Sequence, residues 1–199
     1  GASQPEELAA RAAGLGYEAL ALTDHDGVYG SLELAHAAKA LGVRAITGAE
    51  VTLYGGAHIT LLVESRRGYA NLCRLLTASH AGTRAHAVGV GQARPLQPAV
   101  TLETVTELSE GLVCLSGCAR SGLGISDPNA AAQLAKAFGR KRFFVELQRP
   151  FERGDTRRTA LLRDLAEQVG VETVATGDVH SHHLRRTLLQ DVLVAIKNR

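Results

Sequence analysis

Apolar residues along the chain occur in two alternating arrangements: short continuous runs, and longer segments in which they recur every three or four residues. The continuous runs predict six buried strands, at residues 19–22, 44–51, 58–63, 112–116, 143–147 and 173–176. A first helix is expected to begin after Ser3, which can cap it with Glu6 three residues on, and to end at Gly14 or Gly16. Further helices are predicted at residues 31–41, 68–80, 101–109, 130–138, 155–169 and 184–196, and a loop at 82–100.

The alternation of strands with helices predicts an α/β fold with parallel strands joined by right-handed crossovers. Continuous apolar runs are typical of strands that are covered on both faces. A chain of 199 residues, 45% of them apolar, fits one domain better than two. The pattern alone leaves two architectures open, a closed barrel and an open doubly wound sheet.

Residues that can bind metal follow four of the predicted strands. His25 comes after the first, Glu50 ends the second, Cys118 follows the fourth, and Asp178 and His180 follow the last. Active sites of parallel α/β folds lie at the carboxyl ends of the strands. Randomly placed polar residues would not favour one end, so we expect these side chains to share a site.

Asp178 and His180 are separated by one residue. In an extended segment, residues i and i+2 point the same way, so a carboxylate and an imidazole would face one site. The alternative is a turn Asp beside a solvated His. His182 and His183 follow closely and are interpreted as loop or surface residues.

The segment Thr23-Asp24-His25-Asp26-Gly27 places two carboxylates and an imidazole at a strand end. Asp26-Gly27 is a common turn pair. We therefore expect His25 to be a ligand, while Asp24 either binds metal or orients a ligand.

Other candidates have ordinary structural explanations, which His80 and Cys118, taken alone, fit better than metal binding. Glu50 can be an ordinary exposed Glu, and His80 ends a helix, where a charged His often stabilises the dipole. A single Cys such as Cys118 is more often a small buried apolar residue than a ligand, and Cys73 and Cys114 fit that interpretation well.

A mixed set of nitrogen, oxygen and sulfur donors favours zinc, with manganese or iron as alternatives. Several converging carboxylates and imidazoles can hold more than one metal, and paired metals suit phosphoester hydrolysis. The sequence has no Walker phosphate loop, no dinucleotide glycine fingerprint and no nucleophile elbow.

Composition adds weaker information about partners and location. The net charge is +2, from 22 basic and 20 acidic residues. Arg greatly outnumbers Lys, which favours phosphate contacts but also follows from a GC-rich genome. Three Cys residues fit a reducing compartment, hence the cytoplasm, and no run of about 18 apolar residues predicts a membrane span.

Basic clusters are potential DNA contacts, although solvated surface is the favoured interpretation for any one of them. An aromatic content of 4% argues against a base-stacking platform. The clusters are Arg66-Arg67, Arg140-Lys141-Arg142, Arg153 with Arg157-Arg158, and Arg185-Arg186.

An ordered series of short motifs resembles the PHP (polymerase and histidinol phosphatase) domain. The likeness is closest to the N-terminal domain of bacterial DNA polymerase III alpha subunits, in particular their error-prone relatives, and covers essentially the whole chain. The motifs are Leu22-Thr23-Asp24-His25-Asp26-Gly27, Gly48-Ala49-Glu50, Asn71-Leu72-Cys73-Arg74-Leu75-Leu76, Leu115-Ser116-Gly117-Cys118, Phe144-Val145-Glu146-Leu147-Gln148, Gly177-Asp178-Val179-His180 and Leu189-Gln190-Asp191-Val192-Leu193.

The resemblance implies a distorted, TIM-like barrel of seven β/α units with a site for up to three divalent metals. It also implies metal-dependent phosphodiester hydrolysis, of 3′→5′ exonuclease or proofreading type, within a DNA-directed DNA polymerase. Asp24 corresponds to an acidic neighbour that orients a ligand without binding metal. The residues that match family ligands are His25, Glu50, His80, Cys118, Asp178 and His180.

The chain departs from the family pattern at its beginning. The family's first strand carries a His-x-His pair, and an Asp precedes the Gly-Ala that here is Gly1-Ala2. The chain starts at Gly1 and contains no Met, so residues 1–199 are expected to be a PHP domain that lacks its first strand, cut from a longer polymerase. Its partners would be DNA and the polymerase domains that follow. Two alternatives are a structural module of the same polymerase and a stand-alone phosphatase for a small phosphate ester.

Overall fold

The computed structural model describes residues 1–83, 97–123 and 127–197. Within these ranges, helices and strands alternate along most of the chain. The strands are β1 Ala19–His25, β2 Arg44–Thr52, β3 His58–Val63, β4 Leu112–Leu115, β5 Phe143–Leu147 and β6 Thr173–Ala175. The helices are α1 Pro5–Gly14, α2 Ser31–Ala40, α3 Arg66–His80, α4 Leu102–Glu107, α5 Pro128–Phe138, α6 Asp155–Val169 and α7 Thr187–Lys197, with a 3-10 turn at Leu184–Arg186.

The strands form one sheet in the order β1-β2-β3-β4-β5-β6. The predicted α/β class and the six strands are confirmed, but the prediction that all strands are parallel is wrong. β3 runs antiparallel to both β2 and β4, whereas β4, β5 and β6 are parallel to one another. The connection from β2 to β3 is too short for a crossover, which needs a dozen or more residues. It turns at Gly55 and Gly56, both with positive φ, and forms a hairpin instead.

Most predicted elements have bounds close to the observed ones, with three local differences. β1 continues three residues beyond the predicted end and includes His25. The last predicted helix is divided into the 3-10 turn and α7. The N-cap of α1 is Gln4 rather than Ser3, and the backbone N–H of Gln4 donates to the carboxylate of Glu7. Of the predicted loop at 82–100, residues 84–96 lie outside the described part.

The described chain divides into two compact units. The first comprises Gly1–Leu22, Val28–Thr47 and Asp178–Arg199. Helices α1 and α2 pack against each other in it, because each places small or apolar side chains on one face. Its buried cluster contains Ala9, Leu34, Ala38 and Val43.

The second unit comprises Thr23–Gly27 and Gly48–Gly177. Apolar residues of β2 to β5 and of helices α3 to α6 form its core, and the largest buried side chains include Ile59, Leu61, Leu72, Leu75, Leu112 and Phe143. In the described residues, no helix has the length and apolar character that crossing a membrane requires.

Candidate metal centre

Two imidazoles and one carboxylate converge in the second unit. His25 Nε2 lies 3.1 Å from Glu50 Oε2, and His58 Nδ1 lies 3.2 Å from Glu50 Oε1. The two imidazole rings meet edge to face with centroids 5.4 Å apart. The Glu50 side chain is 13% exposed and that of His58 is 20% exposed, whereas that of His25 is 54% exposed. The cluster is therefore anchored in the protein and open to solvent on the His25 side.

The hairpin between β2 and β3 explains how these residues meet. His25 is the last residue of β1, Glu50 lies near the end of β2, and His58 is the first residue of β3. In the antiparallel register, Thr52 pairs with His58 and Glu50 pairs with Thr60. The beginning of β3 thus lies at the same edge of the sheet as the end of β2.

The donor set fits a divalent metal. One ligand atom from each of His25, Glu50 and His58 can be chosen so that all three lie within 4.8 Å of one another. Ligands around a tetrahedral zinc at about 2.0–2.1 Å are roughly 3.3 Å apart, close to the distance from each imidazole nitrogen to its nearer Glu50 oxygen. Imidazole nitrogens and carboxylate oxygens are ligands that zinc and several other divalent metals accept.

His80 contacts the segment that follows His25. Its Nε2 lies 2.8 Å from the backbone carbonyl oxygen of Asp26, in the turn after β1. The Asp26 carboxylate accepts hydrogen bonds from the backbone N–H and the hydroxyl of Thr52, at 2.9 and 2.8 Å. The predicted Asp26 turn is thus tied to both β2 and the end of α3.

Cys118 lies on a loop that contacts His58 through Ser121. Its Sγ is 3.1 Å from the hydroxyl of Ser121, which is in turn 3.0 Å from His58 Nδ1. The backbone N–H of His58 donates to the carbonyl of Ser121, and that of Leu123 donates to the carbonyl of His58. Gly117 has φ of +91°, and a Cβ there would overlap the carbonyl oxygen of His58. The loop therefore fits against the first residue of β3 only because position 117 lacks a side chain.

Asp178 and His180 belong to the first unit. His180 Nε2 lies 3.4 Å from Asp178 Oδ1, so the two predicted ligands form a carboxylate–imidazole pair. The backbone N–H of Ala2 donates to the carbonyl of His180, and the backbone N–H of His182 donates to the Ser3 hydroxyl. The N-terminal segment thus supports the chain around His180.

The remaining predicted residues have simpler placements. Asp24 precedes His25 on β1 and is half-buried. Cys114 is fully buried in β4, as predicted for a small apolar residue, and Cys73 is half-buried on α3. Burial, with a smaller contribution from the negative charge of Glu146, raises the pKa of the Cys114 thiol. Cys114 is therefore neither exposed nor ionised at ordinary pH.

Arginines of the basic clusters form ion pairs within the protein. One Arg of each of the four clusters contacts a carboxylate, which supports an ordinary surface role for these side chains. The pairs are Arg67 with Glu110, Arg142 with Glu64, Arg158 with Asp155, and Arg186 with Glu7.

The pattern of strand ends missed His58 and Ser121. His58 begins a strand, whereas the predicted ligands lie at or after the ends of strands or, in the case of His80, at the end of a helix. The five residues between β2 and β3 were the available signal, since so short a connection implies a hairpin. Ser121 lies in an irregular loop, where no periodicity predicts the direction of a side chain.

Comparison with known proteins identifies the family of this chain. A family model described as the PHP domain matches residues 1–150, which is most of the chain. The chain belongs to the PHP domain family. The predicted resemblance is thereby confirmed.

Relatives of this PHP domain are much longer proteins. The chain is 37% identical to an error-prone DNA polymerase from Symbiobacterium thermophilum over 211 residues, and 38% identical to one from Anaeromyxobacter sp. strain K over 204 residues. These alignments include 99% and 100% of this chain, but only 19% and 17% of the relatives. The chain thus spans about a fifth of the length of the polymerases it matches.

Solved structures support the fold of the PHP domain. A structure from Bifidobacterium adolescentis assigned as a metal-dependent phosphoesterase aligns with a TM-score of 0.61 at 14% identity, covering 91% of this chain and 83% of that one. An amidohydrolase from Chromobacterium violaceum aligns with a TM-score of 0.55 at 21% identity, covering 92% and 83%. The predicted TIM-like α/β class is confirmed.

Proposed function

We propose that this chain is the PHP domain of an error-prone type of DNA polymerase, and that it hydrolyses phosphodiester bonds of DNA with divalent metals. The cluster of His25, Glu50 and His58 carries the proposal, because it offers three ligand atoms at one edge of the sheet. Zinc is the favoured metal, with manganese or iron as alternatives. The finer activity we propose is 3′→5′ exonuclease cleavage of the proofreading type.

The relatives support the polymerase context. Alignment over essentially the whole chain with error-prone polymerases favours a polymerase module over a stand-alone phosphatase for a small ester. The polymerase domains that follow in such proteins are then its partners within one chain, and DNA is its substrate.

The positions of Glu50 and His25 in the cluster suit different roles. Glu50 lies between the two imidazoles and places one oxygen near each, which suits a carboxylate that binds or bridges metals. His25, more than half exposed, lies on the side from which a DNA strand can approach. Divalent metals, when bound, supply a water of lowered pKa and positive charge for the attacking and leaving oxygens.

Asp178, His180, His80 and Cys118 stay ligand predictions that rest on the family motifs. Ser121 contacts both Cys118 and His58, which supports a common role for these two side chains. Asp24 is proposed to orient His25 without binding metal.

A structural role is the second candidate. Glu50 can pair with protonated His25 and His58 without any metal, and such a cluster would join β1, β2 and β3 mechanically. In that case the domain would support its polymerase and cleave nothing.

Cleavage of labelled single-stranded DNA separates the two roles. The gene that encodes this chain should be expressed at full length, beside the 199-residue chain, and assayed with and without a chelator. Glu50→Gln should reduce cleavage strongly, because a neutral amide is a much poorer metal ligand than a carboxylate. Glu64→Gln, at an exposed carboxylate paired with Arg142, is the matched control and should leave cleavage unchanged. Absence of cleavage in a full-length protein that still extends primers would favour the structural role.

A further inference from the structure

Asp26 uses both its backbone and its side chain to contact the elements of the candidate centre. Its N–H donates to the carbonyl of Glu50 at 2.8 Å, and its own carbonyl lies 2.8 Å from His80 Nε2. Its carboxylate accepts the two hydrogen bonds from Thr52. Asp26 is 9% exposed, and its two hydrogen bonds with Thr52 are shielded from water.

The contact with His80 determines which ring nitrogen carries the proton. A backbone carbonyl can only accept a hydrogen bond, so His80 Nε2 must be the donor. In the neutral imidazole the other nitrogen, Nδ1, then has a lone pair available for a ligand. The bond to Asp26 therefore selects one tautomer of His80.

The side chain of Asp26 holds the backbone in the conformation that makes this contact. Its φ is +47°, in the left-handed region that Asp and Asn tolerate better than most residues. A buried carboxylate is stable only when it is hydrogen-bonded, and both of its oxygens are bonded to Thr52. Thr52 pairs with His58 across the hairpin and lies two residues after Glu50. Asp26 is thus attached to the strand segment that carries the centre.

We infer that Asp26 is a positioning residue, which fixes Glu50 and His80 relative to each other and makes Nδ1 the atom that His80 offers to a divalent cation. The effect of Asp26 on metal binding rests on the proposed function. The hydrogen bonds themselves are independent of that function.

Zinc affinity of four variants of the 199-residue chain, measured by competition with a chromophoric chelator, tests this role. Asp26→Asn can keep both bonds to Thr52 and should bind zinc like the parent. Asp26→Gly removes those bonds while tolerating a positive φ, and should bind about 10–100-fold more weakly, as is typical when a residue that supports a ligand is lost. Thr52→Val should weaken binding in the same direction. Thr77→Val, which removes an exposed helix hydroxyl, is the control and should not.

The tautomer of His80 is a second readout that needs no metal. Nitrogen NMR of ¹⁵N-histidine-labelled, metal-free chain at about pH 8, above the ordinary histidine pKa of about 6.5, should show His80 protonated at Nε2. Protonation mainly at Nδ1 would overturn the inference. Equal zinc affinity in Asp26→Gly, Thr52→Val and the parent would also overturn it. If Asp26→Gly does not fold, the comparison of Thr52→Val with the parent is the test. A parent chain that binds no zinc would contradict the proposed function. The role of Asp26 would then be tested by the tautomer of His80 alone.

Discussion

His58 Nδ1 lies 3.2 Å from Glu50 Oε1, although the two residues lie on strands that run in opposite directions. The hairpin at Gly55 and Gly56 reverses the chain, so that the start of β3 reaches the edge at which β2 ends. The candidate centre therefore contains residues from both ends of strands, and the antiparallel pairing of β2 with β3 brings His58 to it.

Replacing His58 should weaken metal binding without unfolding the chain. His58→Ala removes one of three clustered donors, and we expect zinc affinity to fall more than about tenfold, the lower bound for losing a residue that only supports a ligand. Chelator competition measures the affinity. His36→Ala, at an exposed position on α2, is the matched control and should bind like the parent. Equal affinities in the two variants would exclude His58 as a ligand.

The sequence predicted those parts of the fold that have clear local signals. β5 and α6 have the predicted bounds because charged residues precede the apolar run at 143–147, and glycines with positive φ flank the helix, at Gly154 and Gly170. The cap of α1 was misplaced by one residue, since the Ser3 hydroxyl accepts the N–H of His182 from a distant part of the chain. A local sequence pattern around Ser3 cannot predict a contact with His182, which is distant in the chain.

The sequence predicted the candidate site only in part. His25 and Glu50 were found because each follows an apolar run, and the structure brings them together. His58 and Ser121 were missed because their positions depend on strand direction and on an irregular loop. The direction of β3 depends on the short connection between β2 and β3. The rule that strands alternate with helices takes no account of connection length.

Gly117 should be far more sensitive to a methyl group than Gly139. Both have positive φ, +91° and +78°, which costs an L-residue on the order of 1–3 kcal/mol. A Cβ at Gly139 meets nothing within 4 Å, whereas one at Gly117 overlaps the carbonyl of His58. In urea unfolding, Gly117→Ala should lose about 1–3 kcal/mol more than Gly139→Ala. Equal losses would mean that the loop does not hold His58 closely.

Cys114 should make the stability of the fold depend on alkaline pH. Burial raises the pKa of its thiol above the unfolded value of about 8.5, so the unfolded state releases a proton that the folded state retains. The free energy of unfolding should therefore fall as pH rises above about 8.5, by up to about 1.4 kcal/mol per pH unit from this group.

Urea unfolding of Cys114→Ala at several pH values isolates this contribution, because the variant should show a shallower fall. Val113→Ala truncates the neighbouring residue of β4 and keeps the thiol, so it should retain the parent slope. A fall in Cys114→Ala as steep as in the parent would show that other groups cause it.

Asp178 and His180 are predicted to bind metal, on the basis of their spacing and the family motif. Asp178→Asn combined with His180→Ala should lower the metal content of the full-length gene product, because two ligands are lost together. Elemental analysis measures the content, and His183→Ala, at a neighbouring exposed histidine, is the control. Unchanged content in the double variant would remove both residues from the site.

Glu50 is proposed to form a metal centre with His25 and His58. The most direct measurement is the metal content per chain, by elemental analysis after zinc loading and dialysis, of the parent, Glu50→Gln and Glu64→Gln. The parent and Glu64→Gln should retain bound zinc, whereas Glu50→Gln should lose most of it. A folded parent without zinc, or Glu50→Gln with as much zinc as the parent, would contradict the proposal.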